Sequence, residues 1–266
     1  MNRIIRAVAP QPDDIIIEIG PGTGAITRPL AARAGYVVAI EADSRLVERL
    51  KLDDIPNLSL VEGDALSVDW AELVEAAIQD SKPHTGTSFL RSRVRVVANL
   101  PYYISTPILQ VLIEHRAKFY DITVMLQDEV VNRIASQPGS REYGYLSVLI
   151  QFYCDVRKLF EVAPSAFKPA PEVRSAVVRL SVRQQPAVAV GSEKYYFALV
   201  KAAFSQRRKT ILNNLKAASR QLALKQPIDE ALKDAGINPL RRAETLSLDD
   251  FGRLCDALNR SNQHRS

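Results

Sequence analysis

The sequence predicts an α/β domain built on a parallel sheet, followed by a small all-helical domain. Three observations lead there. Short apolar runs rich in β-branched residues recur at Asp14 to Gly20, Tyr36 to Glu41, Leu58 to Asp64, Val94 to Leu100 and Ile122 to Gln127. Helical patterns lie between them, and near-continuous apolar strands alternating with helices mark a parallel sheet covered on both faces. Beyond residue 192 the pattern is helical to the end, broken only at Pro227 and at "GINPLRRAETLS", Gly236 to Ser247.

Helical periodicity covers Arg45 to Lys51 and Pro107 to His115, then Asp128 to Ser136 and Tyr145 to Tyr153. Two more strands are expected near Leu159 to Val162 and at "SAVVRLSV", Ser175 to Val182. "QDSKPHTGTSFLRS", Gln79 to Ser92, reads as a polar loop or helix extension before the fourth strand. "RQQPAVAVGS" has no clear period and contains a Pro and a Gly, so it reads as a linker. The expected division is a main domain over 1–182, a linker over 183–192 and a basic helical domain over 193–266.

The 266 residues are 47% apolar and 24% charged, as in ordinary globular proteins, and can bury a sizeable core without staples. The two cysteines, Cys154 and Cys255, are far apart and outside any metal-ligand spacing. Neither a disulfide framework nor a zinc site is therefore expected, and both thiols are expected to be inert. The opening "MNRIIRAVAP" lacks an apolar signal core, and no apolar run approaches the ~20 residues of a membrane span, so a cytoplasmic protein is expected. No amphipathic surplus suggests a self-interface, so a monomer is expected. Net charge is +5, unevenly placed: residues 183–266 carry 15 Lys and Arg against 8 Asp and Glu, and the rest carry 20 against 22. That asymmetry points to a polyanion held by the basic end, a solvated helical surface being the alternative.

The motifs supply the chemistry. In "IIIEIGPGTGAIT", Gly20, Gly22 and Gly24 permit a tight turn and close ligand approach after the first strand, where open α/β sheets bind ligands. A plain strand-to-helix turn is the alternative. The spacing is not the dinucleotide G-x-G-x-x-G, and Pro21 removes an N–H that a pyrophosphate would use, so a nucleoside without phosphates fits better than NAD. Glu41 ends the second strand, about twenty residues past the glycines, where a carboxylate can accept from both ribose hydroxyls. Asp64, after the third strand, is placed to accept from an adenine amino group, or else to cap a following helix. Together they describe a pocket for S-adenosylmethionine (SAM).

Asn99-Leu100-Pro101-Tyr102 closes the fourth strand and matches the [N/D]-[P/L/I]-P-[Y/F] pattern of amino-group methyltransferases. An exocyclic adenine amine is a poor nucleophile because its lone pair is delocalised into the ring. The Asn99 side-chain oxygen and the Leu100 carbonyl can accept its two hydrogens and favour a pyramidal nitrogen. Pro101 stiffens the turn, and Tyr102 offers a stacking face. Neither a metal nor a covalent intermediate is required. A helix N-cap at Ser105 or Thr106 with Pro107 at the first helical position also fits this stretch. Phe167, in the Pro-spaced loop "SAFKPAPEVRS", is a second stacking face opposite Tyr102 or a core anchor.

These segments, with "AIEAD", "MLQDEVVNRI", "YGYLSVLIQFY" and "AFSQRRKTILNNL", resemble the KsgA-type small-subunit rRNA adenine dimethyltransferases over nearly the whole chain. The resemblance implies a Rossmann-like SAM-dependent methyltransferase sheet with a small C-terminal all-helical domain. It implies dimethylation of two adjacent adenosines in a hairpin near the 3′ end of 16S rRNA, in an immature small subunit. It places Gly20, Glu41, Asp64 and Asn99 on SAM-binding positions, Asn99 to Tyr102 on the catalytic loop, and Phe167 on the base-stacking position. Arg207, Arg208 and Lys209, on an expected Gln-Arg-Arg-Lys helix, cluster charge that can position RNA through its phosphates.

Erythromycin-resistance methyltransferases of large-subunit rRNA share the catalytic core and are the competing enzyme reading. The Gln-Arg-Arg-Lys and "RRAETLS" segments are similar to the small-subunit branch. Family members carry an N-terminal arm with a Gly-Gln-Asn-Phe-Leu motif; here Met1 falls inside the first helix, so the resemblance implies an absent arm and weakened SAM affinity. An rRNA-binding assembly factor with an idle core is a further alternative. An NAD-dependent dehydrogenase explains Gly20, Gly24 and Glu41 but gives no role to the Asn-Leu-Pro-Tyr turn.

Overall fold

The computed structural model describes residues 2–85, 93–167, 170–222 and 226–259. They form two compact units: residues 1–131 with 155–182, and residues 132–154 with 183–266. The second unit thus takes the segment 132–154 from the span expected for the main domain. No helix among the described residues is long and apolar enough to cross a membrane.

The first unit opens with helix α1 (Asn2–Val8) and strand β1 (Asp14–Ile19). Then α2 (Thr27–Ala31), β2 (Tyr36–Glu41), α3 (Ser44–Lys51), β3 (Leu58–Glu62), α4 (Trp70–Thr85) and β4 (Arg93–Asn99) alternate. Part of the predicted polar segment 79–92 is therefore helix, and 86–92 lies outside the described residues. After α5 (Ser105–Glu114) comes β5 (Asp121–Gln127). Helices α6 (Asp128–Ala135) and α7 (Tyr145–Tyr153) follow, then β6 (Cys154–Val162) and β7 (Ser175–Val182).

The seven strands lie in the order β3-β2-β1-β4-β5-β7-β6. The pairs from β3 to β5 are parallel, and β7 joins β5 antiparallel. Chain order reverses between β1 and β4, so a crevice opens at their carboxyl ends, the usual ligand position in such sheets. The central strands are buried on both faces, which is why they read as unbroken apolar runs; edge strand β3 is only half-buried. Strand β6 is longer than the expected Leu159 to Val162. Its first half alternates buried and exposed residues through "CDVRK", an edge-strand pattern that an apolar-run criterion misses.

Helix α5 also departs from expectation. A 3₁₀ turn over Tyr102–Ile104 feeds straight into it, so Ser105 is helical and Ile104 occupies the N-cap without a side-chain bond. The Ser105 hydroxyl donates instead to the Tyr102 carbonyl at 2.9 Å. Pro107 is the third helical residue, where its missing N–H would have had no helical partner anyway.

The second unit adds α8 (Glu193–Ala203), α9 (Ile211–Ala218), α10 (Ile228–Asp234) and α11 (Leu248–Asn259). Its core is aromatic: the Phe152 ring lies 4.8 Å from Tyr196 and 5.1 Å from Phe197, and Phe204 lies 5.9 Å from Phe251. The expected linker 183–192 packs inside this unit. The Arg183 and Ala187 N–H groups donate to the carbonyls of Tyr153 and Phe152, and Gly252 leaves room for Val188. Cys154 and Cys255 are both buried and outside any disulfide, and burial pushes the Cys255 thiol up to about 11.

Candidate active site

The parallel register pairs Ile19 with Ala98, so Gly20 and Asn99 leave the sheet as neighbours at the switch point. A cavity of about 480 Å³ opens there, walled by Gly20, Pro21 and Gly22 of the turn, by Asn99 and Met125, and by Phe160 and Phe167. A second cavity of about 280 Å³ is lined by Asn99, Leu100, Pro101, Tyr102, Phe167 and Pro171. Asn99 and Phe167 belong to both walls, so the two cavities meet at the end of β4.

Gly20 and Gly22 have φ of +68° and +57°, values that L side chains rarely adopt. Gly24 does not line the cavity. Its φ of +80° is in the same left-handed region, and a Cβ there would also meet Leu50 Cδ2 of α3 at 2.5 Å. Glu41 braces the same turn: its Oε2 accepts from the Gly22 N–H at 3.1 Å and its Oε1 from the Asp43 N–H at 3.0 Å. Asp64 Oδ1 accepts from the Leu66 N–H at 2.9 Å. It closes a local turn and does not cap α4, whose first turn is satisfied by Asp69 Oδ1 through the N–H groups of Ala71 and Glu72. Glu41 and Asp64 lie outside the lining of the larger cavity.

The Asn99–Tyr102 turn is set by the strand behind it. The Leu100 N–H donates to the Met125 carbonyl at 3.3 Å, extending the β4–β5 pairing one residue past Asn99. The Leu100 side chain is buried, and Pro101 sits at φ −56° and ψ 137°, which holds the turn extended before the 3₁₀ segment. The exposed Asn99 side chain makes no hydrogen bond among the described residues. The Tyr102 hydroxyl lies 2.8 Å from Ser175 Oγ at the start of β7, fixing the ring beside the smaller cavity. Phe167 is half-buried and packs partly on the apolar core.

Sequence reasoning missed Glu18. It sits in β1, 2% exposed, on the wall of the larger cavity, and its Oε2 has no hydrogen-bond partner among the described residues. Burial pushes this carboxyl up to about 7, partly offset by the Thr27 hydroxyl and reinforced by the Glu41 carboxylate. An acid inside "DIIIEIG" was the available signal. In the second unit, Arg207, Arg208 and Lys209 are exposed, but they lie in the turn between α8 and α9 and not on a helix. Buried Asn214 shapes that turn by donating to the Ala203 and Gln206 carbonyls at 2.6 and 3.1 Å, and Arg207 donates to the Arg141 carbonyl. No cluster of three or more His, Cys, Asp or Glu among the described residues could hold a metal ion.

Comparison with known proteins agrees with this geometry. Residues 1–259 match the family described as ribosomal RNA adenine dimethylase. A ribosomal RNA small subunit methyltransferase A from Shouchella clausii is 43% identical over 260 residues, 97% of this chain and 84% of that protein. One from Moorella thermoacetica is 43% identical over 266 residues, 99% of this chain and 88% of that protein. The crystal structure of a dimethyladenosine transferase from Plasmodium falciparum superposes with a TM-score of 0.74 at 27% identity, covering 95% of this chain and 92% of that one. The 23S rRNA methyltransferase ErmE superposes with a TM-score of 0.70 at 25% identity, covering 97% and 96%. With its Gly-turn cavity, its Asn-Leu-Pro-Tyr turn and a match running almost end to end, the chain belongs to the ribosomal RNA adenine dimethylase family.

Proposed function

We infer that the chain is a SAM-dependent enzyme that dimethylates the N6 amines of two adjacent adenosines in a hairpin near the 3′ end of 16S rRNA. Its substrate on this reading is an immature small subunit, and it acts as a cytoplasmic monomer without a metal. One observation carries the reading: Asn99 borders both cavities, so a donor in one and an amine in the other would meet at its side chain. The 43% identity to small subunit methyltransferases favours that substrate over the large-subunit RNA of the ErmE type.

The larger cavity fits the methionyl end of SAM on its own chemistry. A glycine turn leaves room along one wall, and the orphaned Glu18 Oε2 awaits a donor such as an α-ammonium. Outside that lining, Glu41 retains lone pairs for ribose hydroxyls although each oxygen already accepts one N–H, and Asp64 Oδ2 remains for an adenine amino group. SAM supplies an electrophilic methyl carried on sulfonium. The Asn99 oxygen and the Leu100 carbonyl accept the two amine hydrogens, which frees the nitrogen lone pair. Pro101 fixes the direction of that carbonyl, and Tyr102 and Phe167 clamp the extruded base. An N–C bond forms as the S–C bond breaks, and the amine proton leaves to water. Positioning and desolvation therefore provide the acceleration. Arg207, Arg208 and Lys209 meet RNA phosphates, which position the hairpin without reading its bases.

The test is to incubate the protein with labelled SAM and immature small subunits, large subunits or free rRNA, and to map the label. Label on two adjacent small-subunit adenosines is expected. Label only on large-subunit RNA supports the ErmE-type activity, and no transfer to any adenosine overturns the methyltransferase reading.

A further inference from the structure

The larger cavity contains a cation that the chemistry above does not use. Arg3 of α1 lies on its wall, with the guanidinium carbon 4.2 Å from the centroid of the Phe160 ring, another wall residue. Arg3 is exposed, but stacking on the ring face attracts the guanidinium and limits its rotamers, which keeps it beside the cavity. No carboxylate among the described residues pairs with it. Glu161 lines the same cavity but is engaged by Lys158 at 2.9 Å and by Arg174 at 3.5 Å. The wall thus offers an unpaired guanidinium from Arg3 and an unpaired carboxyl oxygen from Glu18. A ligand with an anion and a cation on one carbon, an α-amino acid, satisfies both.

We propose that Arg3 is a specificity-determining residue that holds the α-carboxylate of the donor's methionyl moiety, opposite the α-ammonium at Glu18. This rests on the cavity being the SAM site. Arginine suits the task because its planar fork can engage both carboxylate oxygens while its face stays on Phe160, a geometry lysine cannot reproduce.

Calorimetric titration of the full chain tests it with four ligands: SAM, S-adenosylhomocysteine, decarboxylated SAM and 5′-methylthioadenosine. The first two carry the carboxylate; the last two lack it. Arg3→Gln is expected to weaken SAM and S-adenosylhomocysteine about 10-fold, in line with loss of a charged hydrogen bond. It is expected to leave the other two within about twofold of wild type, and their retained binding shows that the variant is folded. Equal weakening of all four ligands, or unchanged affinity for the carboxylate-bearing pair, overturns the proposal. A wild-type protein that binds none of the four overturns the cavity assignment and this proposal together, whereas the selective outcomes bear on Arg3 alone.

Discussion

Asp14 and Glu18 lie on the same strand, four residues apart, and both are buried carboxylates. Their surroundings differ completely. Asp14, at the amino end of β1, accepts from Arg93 Nε at 3.1 Å, from Arg95 at 2.8 Å and from the Gln11 N–H at 2.9 Å. Arg95 also grips Asp121 through two bonds, at 3.0 and 2.8 Å, and donates to the Val8 carbonyl at the end of α1. Arg179 joins by donating to the Ala7 carbonyl. At the carboxyl end, Glu18 has an unpartnered oxygen and a raised pKa. The lesson is that buried charge has two uses. Where both carboxylate oxygens meet donors it holds the fold; where one oxygen is left open it awaits a ligand.

Breaking the balanced end should have the largest effect. Arg95→Met removes both short bonds to buried Asp121 and one of three to Asp14, and is expected to cost about 3–5 kcal/mol of stability, measured by urea unfolding. A loss below 1 kcal/mol would erase the distinction between the two ends. At the open end, Asn99→Ala is expected to lower methyl transfer about 10²–10³-fold, as loss of an aligned polar group in a site does, while RNA binding changes little. Unchanged turnover would remove Asn99 from the chemistry.

Glu18→Gln sharpens the contrast through pH. Burial pushes the folded carboxyl up to about 7 from the ordinary 4.5, so its contribution to stability is full below 4.5 and falls as pH rises toward 7. At pH 8 the variant should therefore be more stable than wild type by about 3 kcal/mol, the gap closing below pH 4.5. Its SAM affinity should fall about 10-fold and lose the rise with pH through 7 that ionised Glu18 confers on wild type. Unfolding curves and calorimetry at pH 4, 6 and 8 read both effects; a variant less stable at pH 8 would show that Glu18 belongs with Asp14. Tyr102→Phe, which keeps the ring and removes only the bond to Ser175, should cost about 0.5–1.5 kcal/mol, roughly a 2- to 13-fold loss of transfer on rRNA. A larger loss would mean that the hydroxyl does more than position the ring.

Strand placement was legible because β1, β2, β4 and β5 are buried on both faces and leave uninterrupted apolar runs. The glycine turn and Asn99 to Tyr102 were legible because backbone geometry and amine chemistry demand particular residue types in a contiguous stretch. Strand β6 and the start of α5 were not, since an edge strand carries polar residues and a 3₁₀ turn needs no capping side chain. Gly24 shares the positive φ of Gly20 and Gly22 but faces Leu50 and not the cavity, which no spacing reveals.

By itself the sequence determined which segments become strands, where the ligand turn lies and which residue types stand at the reacting centre, because those depend on local periodicity and stereochemistry. Tertiary structure decided which charges are spent and which remain open. Asp14 meets Arg93 and Arg95 meets Asp121 only through strand register, across 79 and 26 residues of chain. The same register leaves Glu18 unmatched, and α1 brings Arg3 to the wall of its cavity.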